Sequence, residues 1–302
     1  MRPAARTSRL PALAALLFVV CVIAGAGLAL PGPSASSGDG SSSGMSAGLA
    51  AVFRAGQQGG RYSRAEPAAL SQQLPEDAVP VEVPVLMYHY VDAEPPPKGP
   101  YADGLTVRTP DFVEELDYLT AHGYETVSLA DAYLAMAGLR DLPAKPVVLT
   151  FDDGGVDNYE VAFPLLKQHG FTATFFVITE TVGSQGQMGW DHLREMFAAG
   201  MSIQSHSVSH PDLTGVSDER LRSEVSDSRG AIAEITGEPG YVFCYPAGSY
   251  DPRVVAAVRA AGYVMAVTTD KGAPLSPDSV FEITRTRVQP FLPIGSFARL
   301  VD

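Results

Sequence analysis

The sequence predicts an α/β barrel carried behind an N-terminal tail, and three observations predict it. From Val81 onward, short β-branched and aromatic runs alternate with amphipathic stretches, the pattern of βα units wrapped around a parallel sheet. The stretch 81–302 exceeds the usual single sandwich and suits one barrel, whose core is large enough to need no covalent staples. The composition, 46% hydrophobic and 18% charged with only two cysteines, excludes both a disulfide scaffold and a disordered chain.

The tail has two parts. Arg2, Arg6 and Arg9 precede Pro11–Leu30, a charge-free run of bilayer-spanning length, so residues 1–30 direct the chain to a membrane. Two readings stand: a cleaved signal peptide with Ala24-Gly25-Ala26 as its small-residue site, or an uncleaved anchor with the arginines on the cytoplasmic side. The anchor is favoured because the apolar run outlasts a usual signal core. Either way the rest of the chain is expected outside the cytoplasmic membrane. Cys21 follows Val20, where lipoprotein processing needs a small residue, and reads as a small apolar residue. Residues 31–80, rich in Ser, Gly, Pro and Ala, read as a flexible linker with room for a short helix near Leu49–Arg54. No repeat of 20–50 residues is visible, which excludes a solenoid.

Charge separates the tail from the domain. The formal charge of the chain is -13, yet residues 1–80 carry six arginines against four acids, so 81–302 stands at -15. Such a surface repels phosphate backbones and excludes nucleic acid as a partner. A monomer is expected.

Within 81–302 the candidate strands are Val83–His89, Glu125–Leu129, Pro146–Phe151, Thr172–Ile178, Met201–Ser205, Tyr241–Tyr245, Tyr263–Thr268 and Ile283–Val288. Thr109 before Pro110 is expected to cap a helix ending at Gly123, and Ser128 to cap one ending at Gly138. Seven or eight such units make a barrel, and barrels carry their chemistry at the C-terminal ends of strands.

Two strand ends stand out. PVVLTF runs into Asp152-Asp153-Gly154-Gly155, adjacent carboxylates that are stable together only with a shared proton or a bound cation. An isolated Asp-Asp-Gly is more readily a turn with solvated acids. The strand MSIQS delivers His206-Ser207-Val208-Ser209-His210, and on a helical turn this spacing puts both rings on one face within reach of one divalent ion. Two His and one Asp form a three-ligand set with positions left for water and a substrate oxygen.

These motifs resemble the polysaccharide deacetylases of the NodB-homology type, carbohydrate esterase family 4: Thr150-Phe151-Asp152-Asp153-Gly154 reads as the first motif and His206–His210 as the second. Val83-Pro84-Val85-Leu86-Met87-Tyr88-His89 resembles the opening of a subgroup that includes poly-β-1,6-N-acetylglucosamine deacetylases. The resemblance runs from about Val81 to the C-terminus. It implies a distorted (β/α) barrel of about seven parallel strands and metal-dependent removal of acetyl groups from an N-acetylated glycan. It implies Asp153, His206 and His210 as ligands of one divalent ion, Zn²⁺ by expectation, with Asp152 as general base.

The third motif, Phe243-Cys244-Tyr245-Pro246-Ala247-Gly248, departs from the family pattern. Many members have Arg where this chain has Cys244 and an aromatic where it has Ala247. By the resemblance the Ala247 N–H faces the oxyanion, and Tyr245 and Tyr250 belong to the substrate side; Tyr250, with Trp190 as second choice, suits the apolar face of a pyranose. Arg285 is the candidate replacement for the missing Arg, against a surface salt bridge. Cys244 reads as a small buried hydrophobe. The family's late His is absent, and of the six histidines only His89 remains at a strand end, where it either protonates the leaving amine, orients substrate, or simply bonds to the barrel rim. Asp270 is a weak match to the fourth motif, and Gly183–Gly189 has the composition of a lip over the site. Two other activities stay open: O-acetyl ester hydrolysis on a polymer such as xylan, and a catalytically weakened carbohydrate-binding module. The acidic domain is expected to hold partly deacetylated, cationic product in a salt-sensitive way.

Overall fold

A computed structural model describes residue 70 and residues 73–92, 102–272 and 274–302. The membrane segment, most of the linker and the short helix near Leu49–Arg54 lie outside the described residues. Among the described residues no helix is long and apolar enough to cross a membrane.

The strands are β1 (Val85–Tyr88), β2 (Tyr90–Asp92), β3 (Thr106–Arg108), β4 (Glu125–Thr126), β5 (Pro146–Phe151), β6 (Thr174–Val177), β7 (Ser202–Ser205), β8 (Val242–Cys244), β9 (Met265–Val267) and β10 (Thr286–Arg287). Seven of them form one curled parallel sheet in the order β10-β1-β5-β6-β7-β8-β9, with β4 added beside β5. All eight expected strands are present. The segment after β9 bends back along it, Ile283 pairing with Val267, before entering β10 beside β1, so the chain reaches round towards the sheet's first edge. The small parallel pair β2–β3 is an addition that alternation could not reveal, since each strand is three residues long.

Among the described residues seven α-helices longer than one turn flank the sheet: α1 (Thr109–Ala121), α2 (Leu129–Met136), α3 (Phe163–His169), α4 (Trp190–Ala198), α5 (Asp218–Thr236), α6 (Pro252–Ala260) and α7 (Ile294–Val301). Ser128 caps α2 as expected, in a reciprocal box: its hydroxyl accepts from the Asp131 N–H, and the Asp131 carboxylate accepts from the Ser128 N–H. Thr109 does not cap α1. Arg108 holds that position without a side-chain cap, and its guanidinium pairs with Asp111 one turn on.

The strands are apolar on both faces, as a parallel sheet covered on two sides requires. Leu86, Tyr88, Leu149, Phe151, Phe175 and Val177 face α1, α3 and α4, where Phe112, Leu116, Leu166, Leu193 and Met196 complete one cluster. Phe151 stacks on both Tyr88 and Phe175 there. The alternate residues Val85, Val148 and Phe176 join a second cluster with Phe243, Tyr245, Met265 and Ile283. Leu70 and Leu74 pack against this second cluster and the Val79 N–H donates to Met136 O, so residues ahead of Val81 already lie on the domain.

Register fixes the site. Tyr88 pairs with Phe151, Val177 with Ser205, and Cys244 with Val267. The next residues out, His89, Asp152, His206, Tyr245 and Thr268, therefore share one end of the sheet, the C-terminal end where barrels gather their chemistry.

Candidate active site

Among the described residues five non-glycine positions have positive φ, and four stand at these strand mouths: Asp153, Ser207, His210 and Ala247. L-residues in this region are strained, and such strain persists where surrounding structure fixes it, commonly at functional sites. The tight backbone at Asp153-Gly154 lets consecutive carboxylates point apart. Asp152 turns into the buried interior and Asp153 turns towards the histidines.

The Asp153 Oδ1 lies 3.6 Å from His206 Nε2 and 3.9 Å from His210 Nε2. Donor atoms about 2 Å from a common tetrahedral centre stand roughly 3.3 Å apart, so the spacing fits a single small cation. His206 Nδ1 donates to the Cys244 carbonyl at 2.9 Å, which turns Nε2 towards the carboxylate. Burial, then the neighbouring His206, lowers the His210 pKa and favours its neutral form. An unprotonated imidazole nitrogen facing a carboxylate oxygen, as at His210, is repelled by it without a cation between them. The donor chemistry therefore fits a divalent ion, with the ligand atoms of Asp153, His206 and His210 all within 4.8 Å of one another.

The two histidines are not on a helical turn, contrary to the expectation from their spacing. They lie in a loop after β7 that folds back on itself, the His210 N–H donating to Ser207 Oγ. Glu224 of α5, buried beneath that loop, accepts from the N–H groups of Val208 and Ser209 and from the Ser209 hydroxyl. A buried carboxylate satisfied by three donors is a rigid anchor, and nothing in the sequence singled Glu224 out.

Asp152 is held differently. Arg285 donates Nη1 to Oδ1 and Nη2 to Oδ2, both at 2.7 Å, in the two-pronged geometry that matches guanidinium to carboxylate. Its other donors go to Thr268 O, Thr150 Oγ1 and the Cys244 sulfur. Burial acts to raise the Asp152 pKa, and the charge and hydrogen bonds of Arg285 outweigh it, holding the carboxyl well below the usual range. The missing third-motif Arg is thus replaced in space: Cys244 is small enough to admit a guanidinium that arrives from the segment before β10. Burial pushes the Cys244 thiol up, so it stays protonated. The alternative grouping of Asp152, His206 and Cys244 as a metal site is disfavoured by Arg285, whose guanidinium bonds both Asp152 oxygens and the Cys244 sulfur.

His89 Nε2 stands 4.0 Å from Asp152 Oδ2. Burial lowers its pKa against the pull of Asp152 and Asp153, so it is neutral at neutral pH. The other histidines outside the cluster serve structure: His192 accepts from the Gly189 N–H, His169 bonds Asp117, and His122 stacks on Tyr118.

Tyr245 does not offer its side chain to a substrate. It is fully buried, donates its hydroxyl to Phe281 O, and supports the Tyr250 ring at 5.0 Å. Tyr250 is half-buried, bonds Asp270, and heads an open groove of about 780 Å³ lined by Val255, Arg259 and Glu282. Asp270 also accepts the Arg285 N–H on its backbone carbonyl, which ties it to the buried pair. Ala247 is exposed in the turn after β8. Gly248 beside it must be glycine, since a Cβ there would meet Thr269 Oγ1 at 2.0 Å. The Gly183–Gly189 segment is not a free lip: Val156 N–H donates to Gly186 O, Met188 N–H to Gly154 O and Gly183 N–H to Met188 O. Trp190 begins α4 just after it, 37% exposed.

A curled parallel sheet with an Asp-His-His cluster and an arginine-held carboxylate at its C-terminal end defines a hydrolase of the NodB-homology class. The family profile described as polysaccharide deacetylase matches residues 140–266. YxkH of Bacillus subtilis (strain 168), whose name assigns it to the same family, is 30% identical over 223 residues, 74% of this chain and 77% of its own. The structure of the Streptococcus pyogenes deacetylase PplD in complex with acetate superposes with a TM-score of 0.69 at 30% identity, over 74% of this chain and 99% of that one. A shorter match, 39% identical over 71 residues, is to the poly-beta-1,6-N-acetyl-D-glucosamine N-deacetylase of Escherichia coli (strain K12), covering 24% of this chain and 11% of that enzyme. The chain belongs to the polysaccharide deacetylase family.

Proposed function

We propose that this chain is a metal-dependent deacetylase that removes N-acetyl groups from a polymer of N-acetylglucosamine outside the cytoplasmic membrane. The observation that carries the reading is Asp153 Oδ1 facing the Nε2 atoms of His206 and His210, one residue from a carboxylate kept ionised by a buried arginine. Asp153, His206 and His210 would hold the ion, zinc by its preference for mixed nitrogen and oxygen donors. When bound, such an ion polarises a carbonyl oxygen and lowers the pKa of water.

The chain's residues supply the rest. Asp152 accepts the proton of the attacking water; Arg285 fixes both of its oxygens, while each keeps a lone pair for that proton. His89, neutral at rest with Nε2 4.0 Å from Asp152 Oδ2, takes over the proton that Asp152 accepts from water and passes it to the departing amine, which returns both residues to their starting states. The exposed Ala247 turn presents a backbone N–H for the oxyanion. Tyr250, backed by Tyr245, lies under a sugar ring, and the groove beyond it takes neighbouring residues of the polymer. The arginine-flanked apolar run at the N-terminus supports export and a membrane anchor, with the Ser/Gly/Pro/Ala-rich stretch after it as tether and a catalytic domain that takes in Leu70 and Leu74 ahead of Val81. A monomer suffices, since one chain provides every group named.

Acetate release across poly-N-acetylglucosamine, peptidoglycan, chitin oligomers and acetylxylan tests the reading. Metal-dependent release from an N-acetylated polymer is expected, lowered about 10²–10⁴-fold in Asp152→Asn. Release from acetylxylan alone would make the chain an esterase. Sugar binding without any release, unaltered in Asp152→Asn, would make it a binding module.

A further inference from the structure

The metal-side carboxylate has a partner that the cluster's motifs do not contain. Tyr90 donates its hydroxyl to Asp153 Oδ2 at 2.9 Å, while Oδ1 is the oxygen facing His206 and His210. The two oxygens of one carboxylate are thereby assigned to different neighbours. A carboxylate whose second oxygen is occupied by an O–H donor is held in one rotation and presents one oxygen to the cluster.

Tyr90 is itself placed by buried groups on both sides of it in the chain. Asn158 Nδ2 donates to the carbonyl of His89, and the Val91 N–H donates to Asp157 Oδ2. Asp157 and Asn158 are 4% and 0% exposed, so neither bond competes with water. Gly155 makes room for the ring: a Cβ there would lie 3.0 Å from Tyr90 Cδ1 and 2.5 Å from Asp157 Oδ1. The stretch 153–158 therefore carries the carboxylate, the space for the tyrosine and the clamp on its backbone.

We propose that Tyr90 is a positioning residue for the metal site: its hydroxyl holds Asp153 as a one-oxygen ligand, and Asp157, Asn158 and Gly155 hold Tyr90. This rests on the metal reading above. Keeping Oδ2 engaged leaves the coordination positions that a second carboxylate oxygen would take open for water and substrate. The same clamp sets the His89 backbone, so the metal side and the proton-transfer side of the site share one support.

The test compares wild type with Tyr90→Phe by zinc titration against a chromophoric chelator, by melting of the metal-free proteins, and by kcat and KM at saturating zinc. Tyr90→Phe is expected to bind zinc about tenfold more weakly. Its kcat is expected to fall about tenfold with KM unchanged, and its metal-free Tm to stay within about 4 °C of wild type. Zinc affinity within twofold of wild type overturns the proposal, and so does a weakening that comes with a larger fall in metal-free Tm, which marks a packing role. Wild type that binds no divalent ion removes the metal reading itself and this proposal with it, a result distinct from equal binding by both proteins.

Discussion

Arg285 and Asp152 meet through two parallel hydrogen bonds of 2.7 Å although 133 positions separate them in sequence, and both side chains are buried. A buried pair of this kind is costly to break from one side, about 3–5 kcal/mol, because the remaining charge loses its partner. Arg285→Ala is therefore expected to destabilise the domain by about that amount. Arg285→Lys keeps the charge but not the fork, and is expected to fold while losing about tenfold or more in kcat, since one ammonium cannot fix both carboxylate oxygens. Urea melts and steady-state kinetics on the two variants check both. Arg285→Lys with unchanged kcat would remove the positioning role.

Asp152 gives the corresponding loss on the other side. As general base its conversion to Asn is expected to lower kcat by about 10²–10⁴-fold with zinc content unchanged. Metal analysis of the purified variant beside the rate separates this from damage to Asp153.

His89→Ala is expected to lower kcat by about 10²-fold with unchanged metal content and little change in KM. Full turnover on the true substrate would return His89 to the role of a rim histidine.

Glu115 gives a pH signature independent of catalysis. It is buried in α1 and accepts from Tyr88; burial, ahead of the lowering bond from Tyr88, pushes its pKa up to about 8. The unfolded value is about 4.3, so between there and about 8 the folded state holds the extra proton. Its stabilising contribution is full below pH about 4.3 and is lost as pH rises towards 8, at up to about 1.4 kcal/mol per unit. Wild type is expected to lose stability relative to Glu115→Gln between pH 5 and 8, read from paired denaturant melts. A constant difference across that range would contradict it.

Glu224→Ala is expected to leave two backbone N–H groups of the histidine loop unpaired, costing about 1–3 kcal/mol and weakening zinc binding about tenfold. Melts and zinc titration measure the two effects separately.

What was legible in the sequence was local. PVVLTF followed by Asp152-Asp153-Gly154 is a strand and its mouth within nine residues, and MSIQS followed by His206 repeats the arrangement, so two strand mouths and a set of two His and one Asp follow from adjacency, while the choice of Asp153 as ligand is what the family resemblance implies. Arg285 was readable only as a gap in the third motif seeking a cation, and whether it met Asp152 or solvent depended on how the chain turns between β9 and β10. Tyr90, Asp157, Asn158 and Glu224 carried no signal because each works through a partner fixed by register across the fold. The helical reading of His206–His210 failed because positive φ at Ser207 and His210 breaks any helix there, and that strain is sustained by Glu224 from another element. The resemblance puts Tyr245 on the substrate side, yet its ring packs edge-on against Phe243 and its hydroxyl is taken by Phe281 O, partners that come from the fold and not from the motif.

The central claim is that Asp153, His206 and His210 hold a divalent ion on which deacetylation depends. It is tested most directly by measuring acetate release from an N-acetylglucosamine polymer before chelation, after chelation, and after adding back one equivalent of zinc. Release is expected to stop on chelation and to return with one zinc per chain, and His210→Ala is expected neither to bind the added zinc nor to recover. Release that continues undiminished in the chelated protein would contradict it.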